Sequence, residues 1–167
     1  GSRFGGDADE SAGVLPGSPL YGIERFAEII GTASTRGDDA KITRSIALAE
    51  ERLFEALALA KGDRSGVERA LDAYKEKLSN ILSSETSTNN GDVRELVARS
   101  TLLHQEVLDA VLANVPEEAR FAVLQAQAVS QQGNNEAIKA LGEINPKKAL
   151  DIAVESMRLS LKSAQEE

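Results

Sequence analysis

The chain contains no cysteine and no tryptophan, and only one histidine, one methionine and four prolines in 167 residues. Without a thiol it has no disulfide, no thiolate metal site, no cysteine nucleophile and no His/Cys zinc centre of the nucleotide-deaminase kind. The single imidazole pins any histidine base or ligand to His104. Aromatic residues make up 4% of the chain, so a core has to be assembled from Leu, Ile, Val and Ala. Positive charge is scarce as well. Nineteen Lys and Arg stand against 27 Asp and Glu, a formal net charge of -8. That balance argues against a duplex-DNA or RNA binder, whose affinity comes largely from neutralising phosphates. No run approaches the roughly 18 apolar residues that span a bilayer, and no basic amphipathic stretch would adhere to anionic lipid. Direct membrane insertion of these residues is not expected.

What is present is the composition of a soluble globular protein, 41% apolar and 28% charged. A chain of this length suits one domain that buries roughly 70% of the surface exposed when unfolded. Residues 1–14 are rich in Gly, Asp and Ser and read as a flexible lead-in, with Gly1-Ser2 resembling a protease-cleavage scar. Residues 15–167 read as one all-α domain, an antiparallel bundle of six or seven helices with a polar loop near 83–91.

The helices follow from apolar spacing and caps. A first helix is expected from Pro19, capped by Ser18, to about Thr32. A second starts at Asp38-Asp39 and reaches about Lys61. Its Ile42, Ile46, Ala49, Leu53, Ala56 and Ala60 alternate by four and three, and Leu48, Phe54 and Leu57 widen that stripe. The short turn Gly62 to Gly66 sends a third helix back beside it, with Ser65 and Glu68 at capping-box spacing and Val67, Leu71, Tyr74, Leu78 and Ile81 as the complementary stripe. Asp92 and Glu95 repeat the capping spacing before a fourth helix to about Asn114, with Val93, Leu96, Val97, Leu103, Val107, Leu108 and Val111 inward. Pro116 ends it and can open a fifth, which stops at Gly133. A short sixth helix starts at Asn134 or Asn135 and runs to Leu141. Asn145-Pro146 opens a seventh, whose Leu150, Val154, Met157, Leu161 and Ala164 form its packing stripe, with Asp151, Glu155, Arg158 and Lys162 on its wet face.

The opening Leu15-Pro16-Gly17-Ser18-Pro19-Leu20-Tyr21 resembles that of a bacterial and archaeal family of unknown function, whose members carry Leu-Pro-x-Ser-Pro-Leu-Tyr and then Ala-Glu-x-Arg-Leu, here Ala49-Glu50-Glu51-Arg52-Leu53. The blocks Leu103 to Leu108 and Val115 to Ala119 are similar to later parts of that family, and the resemblance reaches about Leu141. The Gly- and Thr-rich Gly31 to Gly37 departs from it, where the family has a longer helix. The resemblance implies a helical domain commonly placed behind a signal peptide or membrane anchor, and it offers no catalytic residues.

His104 shares a helical face with Val97, Leu108, Val111 and Val115, which is core spacing; metal binding would need companions, and Thr101 stands where a di-iron bundle has Glu. His104→Leu is accordingly expected to be tolerated or stabilising and to leave partner binding intact. The acid pairs Asp38-Asp39, Glu50-Glu51, Glu117-Glu118 and Glu166-Glu167 read as caps and solvated faces, since neighbours on a helix diverge by about 100°. Ser18-Pro19-Leu20-Tyr21 reads as a helix start, and Tyr21 and Tyr74 as anchors with hydroxyls near the surface. No catalytic, cofactor-binding or metal-ligating residue is expected.

The functional expectation is a non-enzymatic helical interaction or structural module of the cell envelope. It is extracytoplasmic, tethered or secreted behind an apolar segment upstream of Arg3. It has a protein partner, no nucleic acid and no cofactor, with homo-oligomerisation left open. The alternative is a small-ligand or cation sensor with an interhelical pocket; an enzyme ranks third, with no visible constellation.

Overall fold

Alternating apolar spacings of four and three wind a continuous stripe along a helix, and three such stripes meet in this molecule. The computed structural model describes residues 38–85 and 88–166. Among them are five helices: α1 (Asp38–Leu59), α2 (Arg64–Glu85), α3 (Gly91–Asn114), α4 (Arg120–Gly142) and α5 (Pro146–Glu166), with a 3-10 turn at Glu117–Ala119. The expected first helix, Pro19 to Thr32, and the Gly31 to Gly37 segment lie outside the described residues. All-α holds for the described residues, and the count of six or seven is corrected to five within them.

The helices alternate in direction. α1 pairs with α2 and α3 with α4; α1 also lies along α3 and α2 along α4, so α2 and α3 sit diagonally across a four-helix square. α5 packs outside it, on α4 and more lightly on α3. Every residue named above for the stripes of α1, α2 and α3 is buried, apart from Leu48, which is exposed, and Phe54 and Leu57, which are half-buried against the core.

The caps differ from the sequence reading. α2 is capped by Asp63, whose Oδ1 accepts from the Gly66 N–H at 2.9 Å, not by Ser65. α3 is capped by Asn90, whose Oδ1 accepts from the Asp92 N–H at 3.0 Å. The expected Asn145-Pro146 start of α5 is found, with Asn145 Oδ1 accepting from the Lys148 N–H at 3.2 Å.

The expected fifth and sixth helices are one, because Gly133 does not end α4. It is a contact residue instead. A Cβ there would stand 3.1 Å from Leu82 Cδ1 and 3.3 Å from Leu78 Cδ2, both on α2. The missing side chain lets α4 approach α2, while Asn134, next along, donates to the Ala98 carbonyl and Thr101 Oγ1 of α3 at 2.9 and 3.0 Å. Gly133-Asn134, a breaker by composition, is a helix interior held by both neighbours.

Candidate functional site

Each helix of the square contributes to a polar group in the interior: Glu50 from α1, Tyr74 from α2, His104 from α3 and Ser130 from α4, all buried. Tyr74 Oη lies 2.9 Å from His104 Nδ1, with the rings edge to face at 83°. Ser130 donates to the Thr101 carbonyl at 3.3 Å. Glu50 Oε1 stands 3.7 Å from His104 Nε2, beyond hydrogen-bond reach.

Burial sets the protonation of the group. It pushes the Glu50 carboxyl up to about 9 and the His104 imidazole down to about 3. At neutral pH the two therefore face each other uncharged, not as a salt bridge. Burial also raises the Tyr74 phenol, so it stays protonated. His104 thus occupies the core position its spacing predicts. Two expectations are corrected: the Tyr74 hydroxyl is inside the bundle, and Glu50 is a buried neutral acid, whereas its neighbour Glu51 is exposed.

A second polar cluster ties the far end of the square together. Arg94, buried on α3, donates from Nε to the Thr88 carbonyl at 3.0 Å and from Nη1 to the Ala140 carbonyl at 2.6 Å and Glu143 Oε2 at 3.3 Å. Asp39 accepts from Thr88 Oγ1 and Asn90 Nδ2 at 2.9 and 3.0 Å, which fastens the start of α1 to the α2–α3 connection. Glu85, expected in the polar loop, is instead the buried last residue of α2. Burial pushes its carboxyl up to about 8, with the Arg94 charge pulling the other way.

Of the remaining acids, Glu117 and Glu118 are exposed as expected, Glu117 lying 3.7 Å from Arg120. Ser18, Pro19, Leu20 and Tyr21 lie outside the described residues. Among the described residues no group of three or more His, Cys, Asp or Glu side chains converges to hold a metal ion. No described helix is long and apolar enough to cross a membrane. A groove of about 260 Å³ between α3 and α5 is floored by Leu102, Leu103 and Leu159 and rimmed by Arg99, Glu106, Glu155, Arg158 and Lys162.

The main surface feature is α5, and it reverses the expected phase. Leu150, Val154, Met157 and Leu161 are 64, 38, 65 and 63% exposed, while Ile152 is fully buried, Ala149 buried and Leu159 packed against the core. The supposed packing stripe faces solvent. The charges beside it divide in the same sense: Lys148 Nζ reaches Glu95 Oε1 at 3.0 Å and Glu155 approaches Arg99 to 3.9 Å, so part of the supposed wet face leans on α3. The sequence carried the signal, since Ala149, Ile152 and Leu159 make a second, smaller apolar line opposite the first.

Together these features define, among the described residues, a helical bundle with a buried polar group at its centre and an outer helix that carries apolar residues on two sides. The chain belongs to DUF5667, a domain of unknown function, which residues 13–118 match. The matched stretch takes in α1, α2 and α3, stops before α4, and is shorter than the reach to Leu141 that the resemblance implies. No curated protein and no solved structure matches the chain.

Proposed function

We propose that this protein is a non-enzymatic interaction module of the cell envelope, with α5 as the element that meets its partner. The observation that carries this reading is the exposed row Leu150, Val154, Met157 and Leu161 on a helix already docked through its other face. Four large apolar side chains in one row exceed the scattered exposure of an ordinary surface and mark a contact face. The buried Glu50–His104–Tyr74 group supports the non-enzymatic side of the reading: its members are uncharged at neutral pH, Tyr74 and His104 are bonded to each other, and none of the three lines the groove between α3 and α5.

A photo-crosslinking side chain at Met157, introduced into the gene product in its own cells, tests this. A protein adduct at Met157, absent from the exposed control position Glu118, is the expected result; no adduct, or equal capture at both positions, overturns it. Extracytoplasmic placement belongs to the same proposal, drawn from the resemblance of the opening segment to exported proteins, and cell fractionation checks it.

The second reading, a ligand sensor, draws on the groove between α3 and α5, whose apolar floor and mixed basic and acidic rim suit a small amphiphilic molecule more than a bare cation. Titration with divalent cations in a melting experiment is expected to give no saturable rise, because only a ligand bound to the native state stabilises it by mass action.

A further inference from the structure

We propose that the outward face of α5 pairs antiparallel with the same face of a second copy of this chain, as an isologous two-helix seam. This identifies the partner within the interaction reading above and rests on it. The row Leu150, Val154, Met157, Leu161 keeps the alternation of a coiled-coil seam over about 16 Å of helix, with Val154 and Leu161 at one core position and Leu150 and Met157 at the other. In an antiparallel pair related by a two-fold axis, Leu150 meets Leu161 of the second copy and Val154 meets its Met157. Each contact then occurs twice.

Charge decides between this arrangement and its alternatives. Of the charged residues on α5, Lys148 and Glu155 are engaged by Glu95 and Arg99 of α3. Asp151 and Arg158 flank the apolar row on one side, and neither makes an ion pair among the described residues. In the antiparallel register Asp151 of each copy lies beside Arg158 of the other, giving two symmetric ion pairs. Ala153 and Ser160 on the opposite flank are small and allow close approach. A parallel pair offers no such match, because Arg158 would face Ala153 and Asp151 would face Pro146. An unrelated partner helix would have to supply this charge order by itself; a second copy carries it.

The area sets the strength. The four side chains expose on the order of 400 Å² per chain, about half the ~800 Å² per partner of a standard interface. The pair should therefore be of the weak, reversible class, with a dissociation constant on the order of micromolar or above.

Sedimentation equilibrium of the whole chain from about 1 to about 300 µM is the first test, and a monomer–dimer equilibrium in that range is expected. Met157→Glu should abolish dimerisation without lowering the melting temperature, since the side chain is exposed. Asp151→Arg alone or Arg158→Asp alone should weaken the dimer about tenfold, and the two combined in one chain should restore it to within about threefold. Because the wild-type chain has no cysteine, orientation can be read cleanly: an equimolar mixture of Leu150→Cys and Leu161→Cys should give the mixed disulfide well beyond the roughly twofold excess over either like-with-like product that random pairing yields. A monomer at every concentration overturns self-pairing, and crosslinking of Met157 to a different protein would then leave the interaction reading standing. Excess like-with-like disulfides, or a charge swap that fails to restore the dimer, overturn the antiparallel seam. Slow labelling of Leu161→Cys in a monomer shows the face covered by the rest of the chain and overturns both.

Discussion

At the residue scale the polar core is held by mutual neutrality, and this makes it sensitive to substitution and to pH. Removing one partner of a buried hydrogen bond strands the other, whereas removing both is nearly neutral. His104→Leu deprives the Tyr74 phenol of a partner and should cost about 1–2 kcal/mol in urea unfolding. Adding Tyr74→Phe to it should recover much of that loss. A fully tolerated single substitution, as sequence spacing alone implies, would refute the bond's importance. For pH, Glu50 and Glu85 hold protons in the folded state that the unfolded chain releases from 4.5 upward, so their contribution is full below 4.5 and is lost as pH rises through about 9 and about 8. His104 acts oppositely. Its contribution is full above 6.5 and is lost as pH falls through about 3. Stability should thus peak on the acid side of neutral and decline from pH 6.5 to 9, and Glu50→Gln should flatten that decline; a urea midpoint that holds steady over the same range would contradict the protonation scheme. His104 was legible as a core residue from its helical company. Glu50 was not, because an acidic doublet reads as solvated and the imidazole opposite it comes from a different helix.

At the scale of elements, legibility followed the number of apolar faces. α1, α2 and α3 each carry one dominant stripe, so periodicity alone names their buried residues. α5 carries two lines, and the longer one looks inward on a helical wheel. What decides is where α4 leaves room: Gly142 brings the turn close enough that a Cβ there would stand 3.6 Å from Ala149 Cβ, which seats the Ala149–Ile152 side. The Gly133 misreading has the same origin, since a glycine's neighbours across a helix pair are invisible in a linear sequence. Its role is testable. Gly133→Val must push into Leu78 and Leu82 and should cost about 1–3 kcal/mol by overpacking. Gly62→Ala, with nothing within 4 Å, should stay within about 0.5 kcal/mol. Equal effects at the two glycines would remove the contact argument and restore Gly133 to a mere weak point in the helix.

For the whole molecule, the unequal attachment of α5 predicts an uneven stability profile. The four helices of the square share one core, to which α1 contributes Leu53, α2 Tyr74, α3 Leu108 and α4 Ala126, all fully buried. α5 adds only Ala149 and Ile152 as buried apolar residues, with Leu159 partly packed. Beyond Leu159 the Ser163 hydroxyl donates to Asp109 Oδ2 at 3.2 Å, while Gln127 of α4 donates to the other oxygen of the same carboxylate at 2.6 Å. A segment with so few buried contacts opens locally at a free energy well below that of global unfolding. Native-state hydrogen exchange on dilute protein should therefore show protection graded along α5, highest near Ile152 and lowest after Ser160, with the centres of α1 to α4 protected to the global limit. Asp109→Ala removes the acceptor that Ser163 and Gln127 share and should speed exchange in the last turns of α5 while leaving the centres of α1 and α2 unchanged. If those last turns instead exchanged only by global unfolding, α5 would be an integral fifth member of the core, and its apolar row would have to be covered by more than solvent even in the monomer.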